Sequence, residues 1–258
     1  MNKKYDFAFK LKAGNNAGSA VLVKQDDLYY LITAAHVCEP YEGDTPIILT
    51  DIDGCEYEHE VKKTDMAISD SKNLDICVMK LPIDVVKEIV SNVKCARFDG
   101  SEFPCEIDGF PSNARDQKLR IEKDCHISKE SEVGDELYVK LKESRTDGLT
   151  MQDVENGFSG SGVFVDSNGD KCLVGIIHRV EDTRNMFIGW KIQKVNEVIR
   201  GKGWTEIPLI PIELRQCIIN QYHNLIENTE FVLKRIKNKI VGKIQLYGSA
   251  IYCRSGLC

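Results

Sequence analysis

Gly157-Phe158-Ser159-Gly160-Ser161-Gly162 runs directly into Val163-Phe164-Val165, so a turn of small residues opens onto a strand of β-branched and aromatic ones. A serine hydroxyl is a weak nucleophile at neutral pH. It needs a neighbouring base to take its proton, and hydrogen-bond donors at the place where the oxyanion forms. Glycine takes tight-turn dihedrals at no steric cost, so the backbone N–H groups of Gly157 and Ser159 can both be aimed at that oxyanion. Ser159 is the first candidate nucleophile, and Ser161 is an alternative in the same turn. Gly/Ser-rich hexapeptides are also ordinary turns, so the reading depends on finding a base and an orienting acid elsewhere in the chain.

Upstream, short apolar runs alternate with turn signals. Phe7-Ala8-Phe9-Lys10-Leu11, Gly18-Ser19-Ala20-Val21-Leu22-Val23 and Leu28-Tyr29-Tyr30-Leu31-Ile32-Thr33 are separated by Gly14-Asn15-Asn16 and Lys24-Gln25-Asp26-Asp27, which reads as a β-meander. The third run ends in Thr33-Ala34-Ala35-His36-Val37-Cys38, where small alanines leave one imidazole at a strand end. Taken alone, His36 could equally be a core histidine bonded to backbone. Pro46-Ile47-Ile48-Leu49-Thr50 and Tyr57-Glu58-His59-Glu60-Val61 continue the pattern, and His59 among acids marks a solvated face. Asp75 then leads straight into Ile76-Cys77-Val78-Met79-Lys80-Leu81. A carboxylate so close to burial must cap a turn or serve a specific donor, and a histidine N–H is the obvious one.

Residues 82–104 read as a linker with a short helical pattern at Val85-Val86-Lys87-Glu88-Ile89-Val90. A second β series follows in Cys105–Phe110, Leu119–Lys123, Glu136–Leu141, the glycine-rich turn, Cys172–Ile177 and Phe187–Trp190. Ile192–Arg200 has helical spacing, with Gly201 as its stop. After Pro208 and Pro211 the texture changes to a helical tail, whose Lys234, Arg235, Lys237, Lys239 and Lys243 fit a solvated face. The expected organisation is all-β, with units at 1–90 and 91–203 and a helical tail at 204–258.

Composition excludes several classes of function. The net charge of −6 in 258 residues argues against nucleic acid or an anionic membrane as the main partner, because both need a clustered positive field. No signal-peptide run or stretch of 18 apolar residues is visible, so a cytoplasmic location is expected. The 10 cysteines lie scattered through apolar segments, without a Cys-x-x-Cys pair. That pattern predicts reduced core thiols and no metal site or cofactor.

Together, His36, Asp75 and Ser159 occur in the order His…Asp…Ser. The order and contexts resemble the trypsin-like (chymotrypsin-fold) serine proteases. Thr33-Ala34-Ala35-His36 corresponds to that family's histidine motif, Asp75–Leu81 to its aspartate strand and Gly157–Gly162 to its serine motif. With a second serine two residues after the nucleophile, the chain looks most like the bacterial glutamyl-endopeptidase-type and cytoplasmic trypsin-like peptidases. The resemblance covers residues 1 to about 201 and leaves the tail outside it. The α/β-hydrolases require Gly-x-Ser-x-Gly and the order Ser…Asp…His, and neither is present.

The resemblance implies two packed antiparallel β-barrels with a terminal helix, a Ser159–His36–Asp75 triad, and an oxyanion hole from the Gly157 and Ser159 N–H groups. It implies a protein or peptide substrate. For the specificity pocket it offers two residues that conflict. Asp153, six before Ser159, would favour a basic residue before the cut, whereas His178 resembles a histidine that reads acidic or glutamine side chains. A one-residue register difference decides whether His178 faces the pocket. Phe158 stands where many secreted members carry the aspartate that pairs with a freed N-terminus, so regulation by a partner through the tail is the better expectation. The other class of function is a catalytically silent, protease-like binding module.

Overall fold

The computed structural model describes residues 7–39, 41, 46–69, 74–85, 93–98, 102–110, 120–132, 134–141, 157–167, 169–181, 184 and 186–212, with only the backbone for 120–124. The chain divides into Met1–Ile212 and Glu213–Cys258. The helical tail reading from residue 213 onward lies outside the described residues, as do Asp153 and most of the helical pattern at 85–90.

The first sheet holds β1 (Ala8–Ala13), β2 (Asn16–Gln25), β3 (Leu28–Thr33), β4 (Ile47–Thr50), β5 (Glu56–His59), β6 (Met66–Ile68) and β7 (Cys77–Pro82), in the spatial order β5-β4-β1-β2-β3-β7-β6. Its central strands are apolar on both faces because they serve two cores. Ala20 and Leu22 of β2, Tyr29 and Leu31 of β3, and Cys77 and Met79 of β7 fill the hollow of this sheet. The alternate residues Val21, Val23, Tyr30, Ile32 and Val78 pack outward with Leu173, Ile176 and Trp190. A strand's side chains alternate between faces with a period of two, so a one-residue slip would exchange the two cores.

The second sheet holds β8 (Lys94–Arg97), β9 (Phe103–Gly109), β10 (Arg120–Ile127), β11 (Glu136–Leu141), β12 (Gly162–Ser167), β13 (Asp170–Glu181), β14 (Met186–Lys191) and β15 (Leu209–Pro211). Six of them run β12-β9-β10-β11-β14-β13, and β13 pairs back onto β12, which closes a barrel. The expectation of two packed antiparallel barrels is therefore corrected in two respects. The first sheet is an open half-barrel: among the described residues β5 and β6 are its free ends. In the second, β8 pairs parallel to β13 and β15 parallel to β8. These short strands, with β6, carry too few residues for a period to show in the sequence.

A four-residue helix α1 (Ala35–Cys38) follows β3, and α2 (Ile192–Gly201) follows β14. Helix α2 buries Ile192, Val195, Asn196 and Ile199, one stripe at helical spacing, against the outer core of the first sheet. Gly201 is still helical, and the left-handed residue that ends the turn is Gly203, with φ of 75°. Residues 204–212, read from the sequence as the start of the tail, pack on this unit. Trp204 stacks on Tyr30 at 6.0 Å between centroids, Lys80 Nζ lies 4.3 Å over the Trp204 ring, and the Tyr30 hydroxyl donates to Thr205 O at 2.8 Å.

Asn196 secures this strap. It is buried, its Nδ2 donates to Ile207 O at 2.8 Å, and the Ile207 N–H donates to its Oδ1 at 2.9 Å. Asn196→Ala strands both backbone groups and is expected to cost about 2–4 kcal/mol in urea unfolding. Limited proteolysis should then cut within 202–212 ahead of global unfolding. A wild-type midpoint and digestion pattern would contradict this.

Candidate active site

His36 lies on α1, immediately after a strand whose end is packed too tightly for anything but small residues: Ala34 and Ala35 are 0% and 4% exposed. Asp75 precedes β7, in the stretch where Ile76 N–H donates to Leu74 O at 3.1 Å. Its carboxylate holds His36 twice. Oδ1 accepts the His36 backbone N–H at 2.8 Å, and Oδ2 lies 2.6 Å from ring Nδ1. A carboxylate at Nδ1 assigns the proton to that nitrogen and leaves Nε2 as the basic lone pair. The His36 carbonyl accepts from Asn16 Nδ2 at 2.9 Å.

The hydrogen bond to Asp75 raises the His36 pKa above its ordinary 6.5, against burial, which lowers it. Burial pushes Asp75 up, but the hydrogen bonds from the His36 ring and backbone more than offset this and hold it below 3.8. The raised histidine adds stability that is full below pH 6.5 and is lost as pH rises through its folded pKa. The lowered aspartate adds stability that is full above 3.8 and is lost as pH falls through its own. The couple therefore stabilises the fold most between about pH 4 and 6.5.

The Gly157–Gly162 turn is held from three sides. Gly157 and Gly160 have φ of 97° and 91°, the left-handed region open to glycine. Gly160 N–H donates to Ile177 O at 2.8 Å, Ile177 N–H donates to Ser161 O at 2.8 Å, and Ser161 N–H donates to Phe158 O at 2.9 Å, which staples the turn to β13. Phe158 is fully buried, with its ring stacked on Phe187 at 5.6 Å and 20°. An apolar stack thus sits next to Ser159 where the resemblance would place a charge pair.

The third hold comes from the first sheet. Ser19, fully buried in β2, donates its N–H to Ser159 O at 2.8 Å and its hydroxyl to Gly157 O at 2.6 Å. The hydroxyl oxygen accepts Phe110 N–H at 2.8 Å, and Ser19 O accepts the Thr33 hydroxyl at 2.7 Å. Any Cβ on Gly160 would collide with Ser19 O. In the sequence Ser19 reads only as part of a strand. The available signal was a lone hydroxyl between Gly18 and Ala20 at the head of a valine-rich run.

His36, Gly157 and Ser159 line one cleft of about 470 Å³, with Asn16, Ile177, His178 and Arg179 among its other walls. Ser159 is half-exposed, whereas Ser161 is fully buried with its hydroxyl packed towards Gly109, so the alternative nucleophile is out of reach of the cleft. His178 Nδ1 lies 3.9 Å from Asp75 Oδ2. Among the described residues no group of three or more His, Cys, Asp or Glu could hold a metal, and no helix is long and apolar enough to cross a membrane.

Ser19→Ala leaves Gly157 O and Phe110 N–H unpaired in the interior. We expect a loss of about 1–3 kcal/mol for each stranded group in thermal unfolding, and faster hydrogen exchange at Phe110 and Gly160 than at strands remote from the turn. Uniform exchange across the sheets would refute the bridging role.

No family model and no curated protein matches the chain. Among solved structures it is similar to the serine endoprotease from Yersinia pestis, at 17% identity and a TM-score of 0.52 over 78% of this chain and 64% of that one. It is similar to kallikrein-related peptidase 10 at 18% identity and 0.53, over 76% of this chain and 96% of that one. The thermostable serine protease AL20 from an extremophilic microorganism gives 12% identity and 0.54, over 75% and 95%. The match thus spans just under two thirds of the Yersinia pestis protein. At these identities the likeness is one of fold: the chain carries a two-sheet, largely β architecture of the chymotrypsin type.

Proposed function

We propose that the chain is a serine endopeptidase acting through Ser159, His36 and Asp75. The observation that carries the reading is the His36–Asp75 couple, 2.6 Å from Nδ1 to Oδ2, in one cleft with a serine on a glycine-flanked turn. In this reading Ser159 attacks the scissile carbonyl and His36 Nε2 takes its proton, later returning it to the leaving amine. Asp75 fixes the tautomer and stabilises the imidazolium. The N–H groups of Gly157 and Ser159 hold the oxyanion. The substrate is a protein or peptide. Among the described residues the cleft is lined by Arg179 and His178 and by no carboxylate, so a preference for a basic residue before the cut rests on Asp153 alone.

Cys38, Cys77, Cys95, Cys105 and Cys172 are buried free thiols, which supports a reducing, intracellular setting. Regulation by a protein partner through residues 213–258 belongs to the same proposal. Deleting them should change turnover on a peptide substrate, and an unchanged rate would remove that part.

A fluorophosphonate probe should label wild type and Ser161→Ala, and should fail on Ser159→Ala. Labelling of Ser159→Ala would overturn the assignment, and no labelling of any form would favour a silent binding module. Because His36 must be neutral to act as a base and its pKa is raised, kcat/KM should rise with pH through an acid limb centred above 6.5. Asp75→Asn should move that limb to lower pH and cost about four orders of magnitude in kcat. A limb that stays in place would separate Asp75 from the chemistry.

A further inference from the structure

His178 occupies a bulge. The pairing of β13 with β14 passes from Ile177↔Gly189 to Arg179↔Ile188, which leaves His178 as the extra residue, and bulges of this kind re-aim a side chain. The imidazole lies on the Trp190 indole, 5.1 Å between centroids and 18° from parallel. Its side chain is only 10% exposed, and its Nδ1 is 3.9 Å from Asp75 Oδ2, the same oxygen that faces His36 Nδ1. Its Nε2 is buried and has no hydrogen-bond partner among the described residues. His178 lines the cleft, but its side chain is mostly buried: Nδ1 faces the carboxylate that holds His36, and Nε2 is not exposed to a substrate.

We infer that His178 is a positioning residue for Asp75: a second imidazole, clamped flat on Trp190, that limits the carboxylate's movement and shields it from water. The inference rests on the serine-peptidase reading above. A carboxylate oxygen serving one strong hydrogen bond has further lone-pair capacity, and a ring nitrogen at 3.9 Å needs only a small shift to use it. A charged ring there would compete with His36 for Asp75. Burial prevents this by lowering the His178 pKa to about 4; nearby Asp75 and Glu136 raise it, and Arg179 and His36 lower it. At neutral pH His36 is then the imidazole of the two that gains a proton.

The test uses the full chain. His178→Phe keeps a flat ring for Trp190 and removes both nitrogens, while His178→Gln restores a side-chain donor. In Ser159→Ala protein, the downfield proton resonance of His36 Nδ1–H reports the couple directly and without turnover. We expect His178→Phe to shift it upfield or abolish it and His178→Gln to retain it; an unchanged resonance in His178→Phe overturns the inference. In active protein, His178→Phe should lower kcat about ten- to a hundredfold, leave KM near wild type, and add nothing in an Asp75→Asn background. A changed preference between peptides with Glu or Arg before the cut, with kcat on the better one intact, would make His178 a pocket residue and also overturn it. If wild type fails to label with the fluorophosphonate probe, the peptidase reading fails, and the resonance still decides whether His178 positions Asp75.

Discussion

Ser19 engages three other segments at once. Its N–H and hydroxyl reach the carbonyls of Ser159 and Gly157, its hydroxyl oxygen takes the N–H of Phe110 at the end of β9, and its own carbonyl takes the Thr33 hydroxyl. Each sheet has its own hydrogen-bond ladder, but His36 and Ser159 share a cleft only where the two meet. His36 belongs to the first sheet's side of that boundary and Ser159 to the second's. A fully buried side chain with both lone-pair and donor capacity satisfied is strongly specified in position. The placement of Ser159 relative to His36 therefore depends on a residue that has no part in the proposed chemistry.

The same boundary explains what the sequence revealed and what it hid. Leu28–Thr33 and Glu136–Leu141 are legible to the residue because aromatic and β-branched runs end at clear turn residues. Asp75 was legible from its cost: a carboxylate at the mouth of an apolar strand needs donors, and it has two from His36. The turn at Gly157–Gly162 announced itself because glycine's freedom is required there, at φ of 97° and 91°. The short strands β6, β8 and β15, the last two in parallel pairings, carry no periodic signal, and sheet closure depends on partners that no local pattern encodes. Ser19 and the register of His178 were hidden for a related reason. Their roles are set by what crosses over from another segment, and the bulge at His178 moves its side chain by a step that strand alternation does not supply.

Two kinds of polar group can be distinguished near the cleft. Asp75 and Ser19 are paired at 2.6–2.8 Å, so removing either leaves partners stranded. Ser161 Oγ and Trp190 Nε1 are buried without a hydrogen-bond partner among the described residues; the first lies in the Gly157–Gly162 turn and the second against His178. Incomplete satisfaction next to a cleft is characteristic of sites whose geometry is set by function more than by stability.

The stack of Phe158 on Phe187 carries a thermal consequence. An ion pair holding the Gly157–Gly162 turn would weaken with added salt and titrate with its carboxylate. An apolar stack does neither. Its driving force instead arises from the release of hydrating water and fades on cooling. The turn that presents Ser159 is thus insulated from ionic strength, and the variable to which its anchorage responds most directly is temperature.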